Sequence, residues 1–283
     1  RPRKSRLDGT PRSADADMTM AGARPTLSAK VMAGALDLTG LTGGHGGGSD
    51  GGAAAAGWPT DRIDVSGLGV LDASVALVAD SADLGLAKTG ALEVMLTIDR
   101  ARAVFDIRRI AAYDGVVSGQ FVVNGRKGLS VGGDLSFAGI ALQPMLRDFG
   151  GYERLVGTGD LRVKFLGSGA SVDAIMHSLE GAGSLALGKG ELRGLDIAGM
   201  LRTLDMGFVG EGQKTIFDSL AGTFTMAGGV LRNDDLKMVS PYVTAAGSGD
   251  VGLGARNLDY RIKATALADA EGAGGVTAPL MIT

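Results

Sequence analysis

The chain has 283 residues, 45% of them apolar, and a mean hydropathy of +0.19, enough to bury a sizeable core and too apolar for disorder throughout. Its 28 basic and 31 acidic residues leave a net charge of −3, so no global positive field exists to hold a nucleic acid. With no cysteine and two histidines, His45 and His177, the composition excludes disulfides, thiolate nucleophiles, and Cys- or His-rich metal centres, and no cofactor is expected.

In chain order, the first twenty residues are polar and read as a frayed start. Their basic cluster of Arg1, Arg3, Lys4 and Arg6 reads as a solvated chain end, with contact to anionic lipid as the other reading. Arg24 to Leu41 shows strand-like alternation in Leu27, Val31 and Leu36 to Leu38, so residues 1–42 form a strand-forming N-terminal piece. Residues 43–57 read GGHGGGSDGGAAAAG, and a Gly/Ala-rich flexible linker is expected over 43–60. The main β-rich domain is then 61–283. Within it Val65 to Val78, Ala91 to Ile98, Ala103 to Ile110 and Val116 to Val123 alternate as successive strands between Gly or Asp turns.

Three segments break this period of two. Leu142, Met145, Leu146 and Phe149 fall at i, i+3, i+4 and i+7, as do Val172, Ile175, Met176 and Leu179, and Ile197, Met200, Leu201 and Leu204. Each predicts a short amphipathic helix, with Ser171 as an N-cap, Pro144 near a helix start, and Gly150, Gly181 and Gly207 as stops. Between and after them one phrase recurs: Gly159-Asp-Leu161-Arg-Val163, Gly183-Ser-Leu185-Ala-Leu187, Gly222-Thr-Phe224-Thr-Met226 and Gly249-Asp-Val251-Gly-Leu253. The spacings of 24, 39 and 27 residues are too irregular for a solenoid and indicate recurring hairpins. Leu161, Val163 and Phe165 share one face while Asp160, Arg162 and Lys164 share the other, which is an antiparallel sheet with one dry face and one wet face.

Several motifs are decoys. Gly247-Ser-Gly249-Asp-Val-Gly252 matches the dinucleotide fingerprint by letters, but strand period continues after it where a helix is required. Gly207 to Thr215 resembles a phosphate-binding loop that follows a helix and has the wrong register for Lys214, so it reads as a loop. Asp234-Asp235 reads as a solvated turn, and His177 lies beside its helix's apolar stripe. No Ser-His-Asp set or paired-carboxylate cleft can be assembled, and no enzyme is expected.

The fold class is therefore mainly β, a long curved antiparallel sheet of about twelve strands with about three short amphipathic helices. Such a sheet is roughly 55–60 Å wide at about 4.8 Å per strand, which three short helices cannot cover. It must close as a barrel, stack as a sandwich, or curl into an open trough holding apolar ligand. High Gly and aliphatic strand faces suit a smooth, curved lining, and each acyl methylene moved into such a lining contributes about 0.8 kcal/mol.

The segments GTGDLRVKFLGSGASVDAIMHSLEGAGSLALGKGELRGLDIAGMLRTL, EGQKTIFDSLAGTFTMAGGVLRNDDLKMVSPYVTAAGSGDVGL, NLDYRIKATAL and GVTAPLMIT resemble, in that order, the C-terminal region of AsmA family proteins. Upstream, ARPTLSAKVMAGALDLTGL before the Gly/Ala linker and Tyr113-Asp114-Gly115 fit the same pattern, so the resemblance covers nearly the whole chain. It implies a β-taco-like periplasmic body anchored by a helix in the inner membrane of a Gram-negative envelope. The larger TamB-like relatives form hydrophobic grooves credited with carrying phospholipid toward the outer membrane. The chain lacks an initiator Met, a signal peptide and any run of 18 apolar residues, as expected of a fragment without its anchor.

The expected function is accordingly a non-enzymatic periplasmic module of outer-membrane biogenesis, with phospholipid as its partner. Its groove would be lined by Leu161, Val163, Phe165, Leu185, Leu187, Phe224, Met226, Val251 and Leu253. The alternatives are that these side chains are ordinary core under the helices, or that the chain is a secreted or surface β-rich scaffold with a closed sheet and no lipid cargo.

Overall fold

The structure, a computed structural model, describes residues 3–7, 10–19, 24–39, 57–85, 87–203, 209–241, 243–266 and 277–282. The N-terminal third forms β1 (Arg3–Leu7), β2 (Thr10–Thr19), β3 (Thr26–Asp37), β4 (Asp72–Asp83), β5 (Lys88–Thr89) and β6 (Leu92–Asp99). Then come β7 (Arg102–Ala112), β8 (Gly115–Asn124), β9 (Ser130–Ala141), α1 (Leu142–Gly150), β10 (Leu155–Ser168), α2 (Val172–His177), β11 (Glu180–Leu195) and α3 (Ile197–Thr203). The chain ends with β12 (Val209–Phe217), β13 (Ser219–Ala227), β14 (Val230–Val239), β15 (Val243–Gly252), β16 (Asn257–Ala266) and β17 (Thr277–Ile282).

These elements make one open sheet of 15 strands, in which each strand pairs with its neighbour in sequence. β5 runs on into β6 along β4, and β12 runs on into β13 along β11, so each of these pairs occupies one strand position. Every pairing is antiparallel except β3 with β4, which is parallel from Thr26 opposite Asp72 to Asp37 opposite Asp83. The chain leaving β3 must therefore travel back to the end where β3 began before β4 can start. The Gly/Ala-rich stretch lies within this return, and residues 43–56 of it fall outside the described residues.

Alternation carries across the whole sheet. Val75, Leu96, Phe105, Phe121, Gly133 and Phe165 stand opposite one another on consecutive strands, and the row continues through Gly181 and Met226 to Val251. The intervening residues face solvent with charged partners, such as Arg108 with Glu93 at 2.7 Å and Lys214 with Glu191 at 3.1 Å. Two clusters form on the inner face. One holds Ala79, Leu92 and Val94 near β4; the other packs Leu142 and Met145 of α1 and Ile197, Met200 and Leu201 of α3 against Leu187, Phe217, Met238 and Ala264. Because α3 follows β11 and touches both β12 and β16, the sheet curls around it.

The three helices stand where the 3.6-residue period placed them. Ser171 caps α2, accepting from the Ala174 N–H at 3.2 Å, and Gly151 closes α1 at φ +66, one residue beyond the expected Gly150. Five local expectations are corrected. The polar start is strand β1 and β2, drawn in by backbone pairing to β3. Residues 65–71, read as strand, form a 3-10 turn over Ser66–Gly69, where the Ser66 N–H bonds to the Asp64 carboxylate at 2.9 Å. Residues 57–60, expected as part of the linker, are held in place, with Trp58 donating to the Leu253 carbonyl at 2.7 Å. Residues 209–215, read as loop, belong to β12.

Asp234-Asp235 is the fifth correction. It lies within β14 at a bulge between Asn233 and Leu236, where the register to β13 and β15 shifts. Asp235 accepts from the Thr223 N–H and hydroxyl, both at 2.7 Å, and from Asn233 Nδ2 at 2.8 Å. The Thr223 N–H, then its hydroxyl, hold the Asp235 carboxyl below the usual carboxylate range.

Close packing explains part of the glycine content. A Cβ on Gly183 would sit 2.4 Å from Phe224 Cζ and 2.3 Å from the Arg162 carbonyl oxygen, and one on Gly190 would sit 2.6 Å from Phe217 Cζ. Each ring thus covers a glycine on the neighbouring strand. Gly183→Ala is expected to destabilise the fold by about 1–3 kcal/mol in urea denaturation. Gly67→Ala, which meets nothing within 4 Å, should stay within about 0.5 kcal/mol of wild type. Equal shifts for the two would contradict the ring-over-glycine account.

The bulge gives a pH prediction. A carboxylate depressed on folding contributes stability above its unfolded value, about 3.9 for Asp, and loses it as pH falls through the lower folded value. The melting temperature should therefore fall between pH 7 and pH 2.5, and fall less in Asp235→Asn. An unchanged pH dependence in that variant would exclude Asp235 as a contributor.

Candidate functional site: the apolar inner face

Of the nine residues expected to line a groove, all but Leu253 sit on strands, and the pairings bring those eight to one face of the sheet. Leu161 of β10 stands opposite Leu185 of β11, Val163 reaches Phe224 through Gly183, and Phe165 reaches Met226 through Gly181. Leu253 follows β15 in the turn to β16 and borders the same face. Burial divides them. Leu187 and Met226 are 4% and 7% exposed, the first packed in the cluster beneath α1 and α3. Leu161 and Leu185 pack against that cluster's edge, and Val163, Phe165, Phe224, Val251 and Leu253 are half-buried.

A cavity of about 660 Å³ lies on this face, lined mainly by β13 to β16. That volume is within the roughly 300–1,000 Å³ usual for small-molecule sites. At one end it meets Leu146 of α1, Ile197 of α3 and Phe217; its walls are Leu220, Leu236, Met238, Val251 and Ile262; at the other end are Trp58, Leu253, Arg256 and Leu258. Val251 and Leu253 are the two residues of the expected set that line it.

Polar groups on this face are few and partnered. Asn233, buried at the bulge, donates to the Thr223 carbonyl at 2.7 Å and accepts from the Tyr260 hydroxyl. Burial, and then the nearby Asp235 and Asp234 charges, push the Tyr260 phenol up to about 12, so it stays protonated as a donor. Among the described residues no group of three or more His, Asp or Glu is arranged to hold a metal ion. No described helix is long and apolar enough to cross a membrane.

The segment from Trp58 onward runs as a strap along one end of the sheet. From Trp58 at the β15–β16 turn it passes the Asp173 N–H, which bonds to the Pro59 carbonyl at 3.0 Å, and the Ala170 carbonyl, which accepts from the Ile63 N–H at 2.8 Å. It ends near β3 and β4, where Arg24 donates to the Gly69 carbonyl at 2.8 Å. α2 lies beside it, with His177 against Gly254 and Gly229, so this histidine packs against the turns at this end.

The cavity walls from Tyr260 and Ile262 were legible, because Leu258-Asp-Tyr260-Arg-Ile262 repeats the alternation of the earlier strand segments. Trp58 was marked only by being the chain's one tryptophan, beside the linker. Arg256 carried no signal, since its position depends on how the β15–β16 turn meets the strap.

No curated protein and no solved structure matches the chain significantly. The AsmA family model matches residues 7–236, which takes in the strands from β2 through most of β14, the parallel β3–β4 pair and all three helices. The one-sided open sheet described above is thus the body of a protein that belongs to the AsmA family.

Proposed function

We propose that this chain is a non-enzymatic periplasmic module, tethered to the inner membrane in its parent protein, that holds or conducts phospholipid along its apolar inner face during outer-membrane biogenesis. The observation that carries the reading is the mismatch between the apolar face and its cover. The face runs from β3 to β16, while α1, α2 and α3 cover only part of it and leave Val163, Phe165 and Phe224 partly exposed. An acyl chain laid on such a face is stabilised by about 0.8 kcal/mol per methylene without any polar recognition. Family membership is consistent with outer-membrane biogenesis or lipid transport. The secreted-scaffold alternative requires a closed sheet, and the sheet is open.

Lipid extraction and mass spectrometry of the chain, purified without detergent from periplasmic expression, should return phospholipid in near-stoichiometric amount. A lipid-free, cooperatively folding protein would contradict the proposal. Two substitutions separate groove from core. Val163→Asp should leave the fold intact and lower lipid recovery severalfold, because its side chain is only partly buried. Leu187→Asp should unfold the domain, since burying an unpaired carboxylate beneath α1 and α3 costs several kcal/mol. Unfolding by both, with no lipid in wild type, would make the whole face ordinary core.

A further inference from the structure

Among the described aromatic side chains, two are exposed and the rest are buried or half-buried. The two are Phe149 and Tyr152, 55% and 44% exposed, and both stand at the C-terminal end of α1. Backbone geometry holds them there. Gly151 closes the helix in the left-handed region, its N–H donates to the Arg147 carbonyl at 2.9 Å, and the Tyr152 N–H donates to the Leu146 carbonyl at 3.3 Å. This is a Schellman cap, which turns the residue after the glycine back toward the helix. Phe149 meets the Tyr113 ring edge-on, at 6.4 Å between centres.

Tyr152 also belongs to the cavity. It lines it together with Leu146, Leu155 and Leu192, so one side chain is shared between the apolar interior and the surface. The other large exposed apolar residue in the lining is Leu258, at 38%. An acyl chain moving between a bilayer and this cavity loses about 0.8 kcal/mol for every methylene left in water, so its route has to be apolar throughout. Contact between the end of α1 and the bilayer supplies that continuity, whereas a protein seated on the same residues would block it. Aromatic rings, and Tyr with its polar tip above all, are the side chains that sit well at the level of lipid headgroups. Net charge supplies no second attraction. Between 147 and 154 Arg147 and Arg154 are balanced by Asp148 and Glu153, and Arg147 pairs with Asp148 at 3.1 Å.

We propose that the end of α1, through Phe149 and Tyr152, docks on a lipid bilayer and is the doorway by which an acyl chain passes between bilayer and cavity. The proposal rests on the reading of the inner face as an acyl-chain site and adds to it the surface that meets the membrane. The attraction is ring burial, so vesicles of neutral phosphatidylcholine are bound as well as vesicles containing anionic phosphatidylglycerol.

Docking and cavity are measured separately on the full chain. Docking is read by flotation with phosphatidylcholine vesicles. The cavity is read with lysophosphatidylcholine below its micelle-forming concentration, followed by the fluorescence of Trp58, the chain's one tryptophan and part of the lining. Phe149→Gln, which keeps a good helix former in α1, should lower vesicle partitioning about tenfold, the scale of one lost buried ring. It should bind lysophosphatidylcholine as wild type does. Phe149→Trp should float like wild type, and its added ring should be quenched by lipids brominated on their acyl chains, a readout that does not depend on a loss. Wild type that binds lysophosphatidylcholine and leaves vesicles alone, Phe149→Gln that floats unchanged, or an unquenched tryptophan at 149 would overturn the docking assignment and leave the acyl-chain reading standing. Flotation only with phosphatidylglycerol present, and lost in salt, would assign docking to charge and overturn the proposal. A wild-type dimer that Phe149→Gln makes monomeric would place a second copy on the two rings and overturn it as well. Failure to bind lysophosphatidylcholine would overturn the acyl-chain reading, and the doorway with it.

Discussion

The apolar side of the sheet has to be kept from water by something, and the chain's own helices are too small for the task. Fifteen strands at about 4.8 Å apart span some 65–70 Å, whereas helices of 9, 6 and 7 residues, at about 1.5 Å per residue, are only about 9–14 Å long. Other features follow from that shortfall. The sheet curls until α3 reaches β16, the core divides into two clusters, and the return from β3 to β4 is used as a strap across one end. What remains is a face with side chains half in contact and half open.

Curling so broad a sheet without spoiling its inner surface sets the residue chemistry. Strands must approach closely where aromatic rings lie on the face, and a Cβ at Gly183 or Gly190 would collide with the ring of Phe224 or Phe217. The bulge at Asn233 and Asp235 adds a local bend, and its side chains satisfy one another and Tyr260 so that no bare polar group faces the apolar lining. The aromatic residues, few as they are, occupy chosen places: Phe105, Phe121 and Phe165 stand within 6.3 Å of their neighbours in a row that links the two clusters.

Local period was the most legible part of the sequence. The alternation of Leu161, Val163 and Phe165 and the helical spacing of Leu142, Met145 and Leu146 each describe a residue's own neighbourhood, and both placed their elements correctly. The polar strands β1 and β2 were missed because backbone pairing to β3, and no apolar face of their own, holds them in the sheet. The parallel step from β3 to β4 was not readable, since a Gly/Ala-rich connection carries no record of direction. Asp234-Asp235 looked like a turn because two adjacent carboxylates seldom lie within a strand, and only the Thr223 donors across the bulge make that placement favourable. The cavity was legible through its aliphatic walls and illegible at its mouth, where Trp58 and Arg256 come from segments almost two hundred residues apart, as the 195-residue separation of Trp58 from Leu253 shows.

The central claim is that lipid, and not more protein, covers the open part of the inner face. Alternation supplies a direct comparison, because Val163 and Arg162 are adjacent in β10 and point to opposite faces. A photoreactive residue placed at 163 and, separately, at 162, irradiated in cells and analysed by mass spectrometry, reads out what touches each face. The account predicts phospholipid adducts at 163 and none at 162. Adducts at neither position, or equally at both, would contradict it.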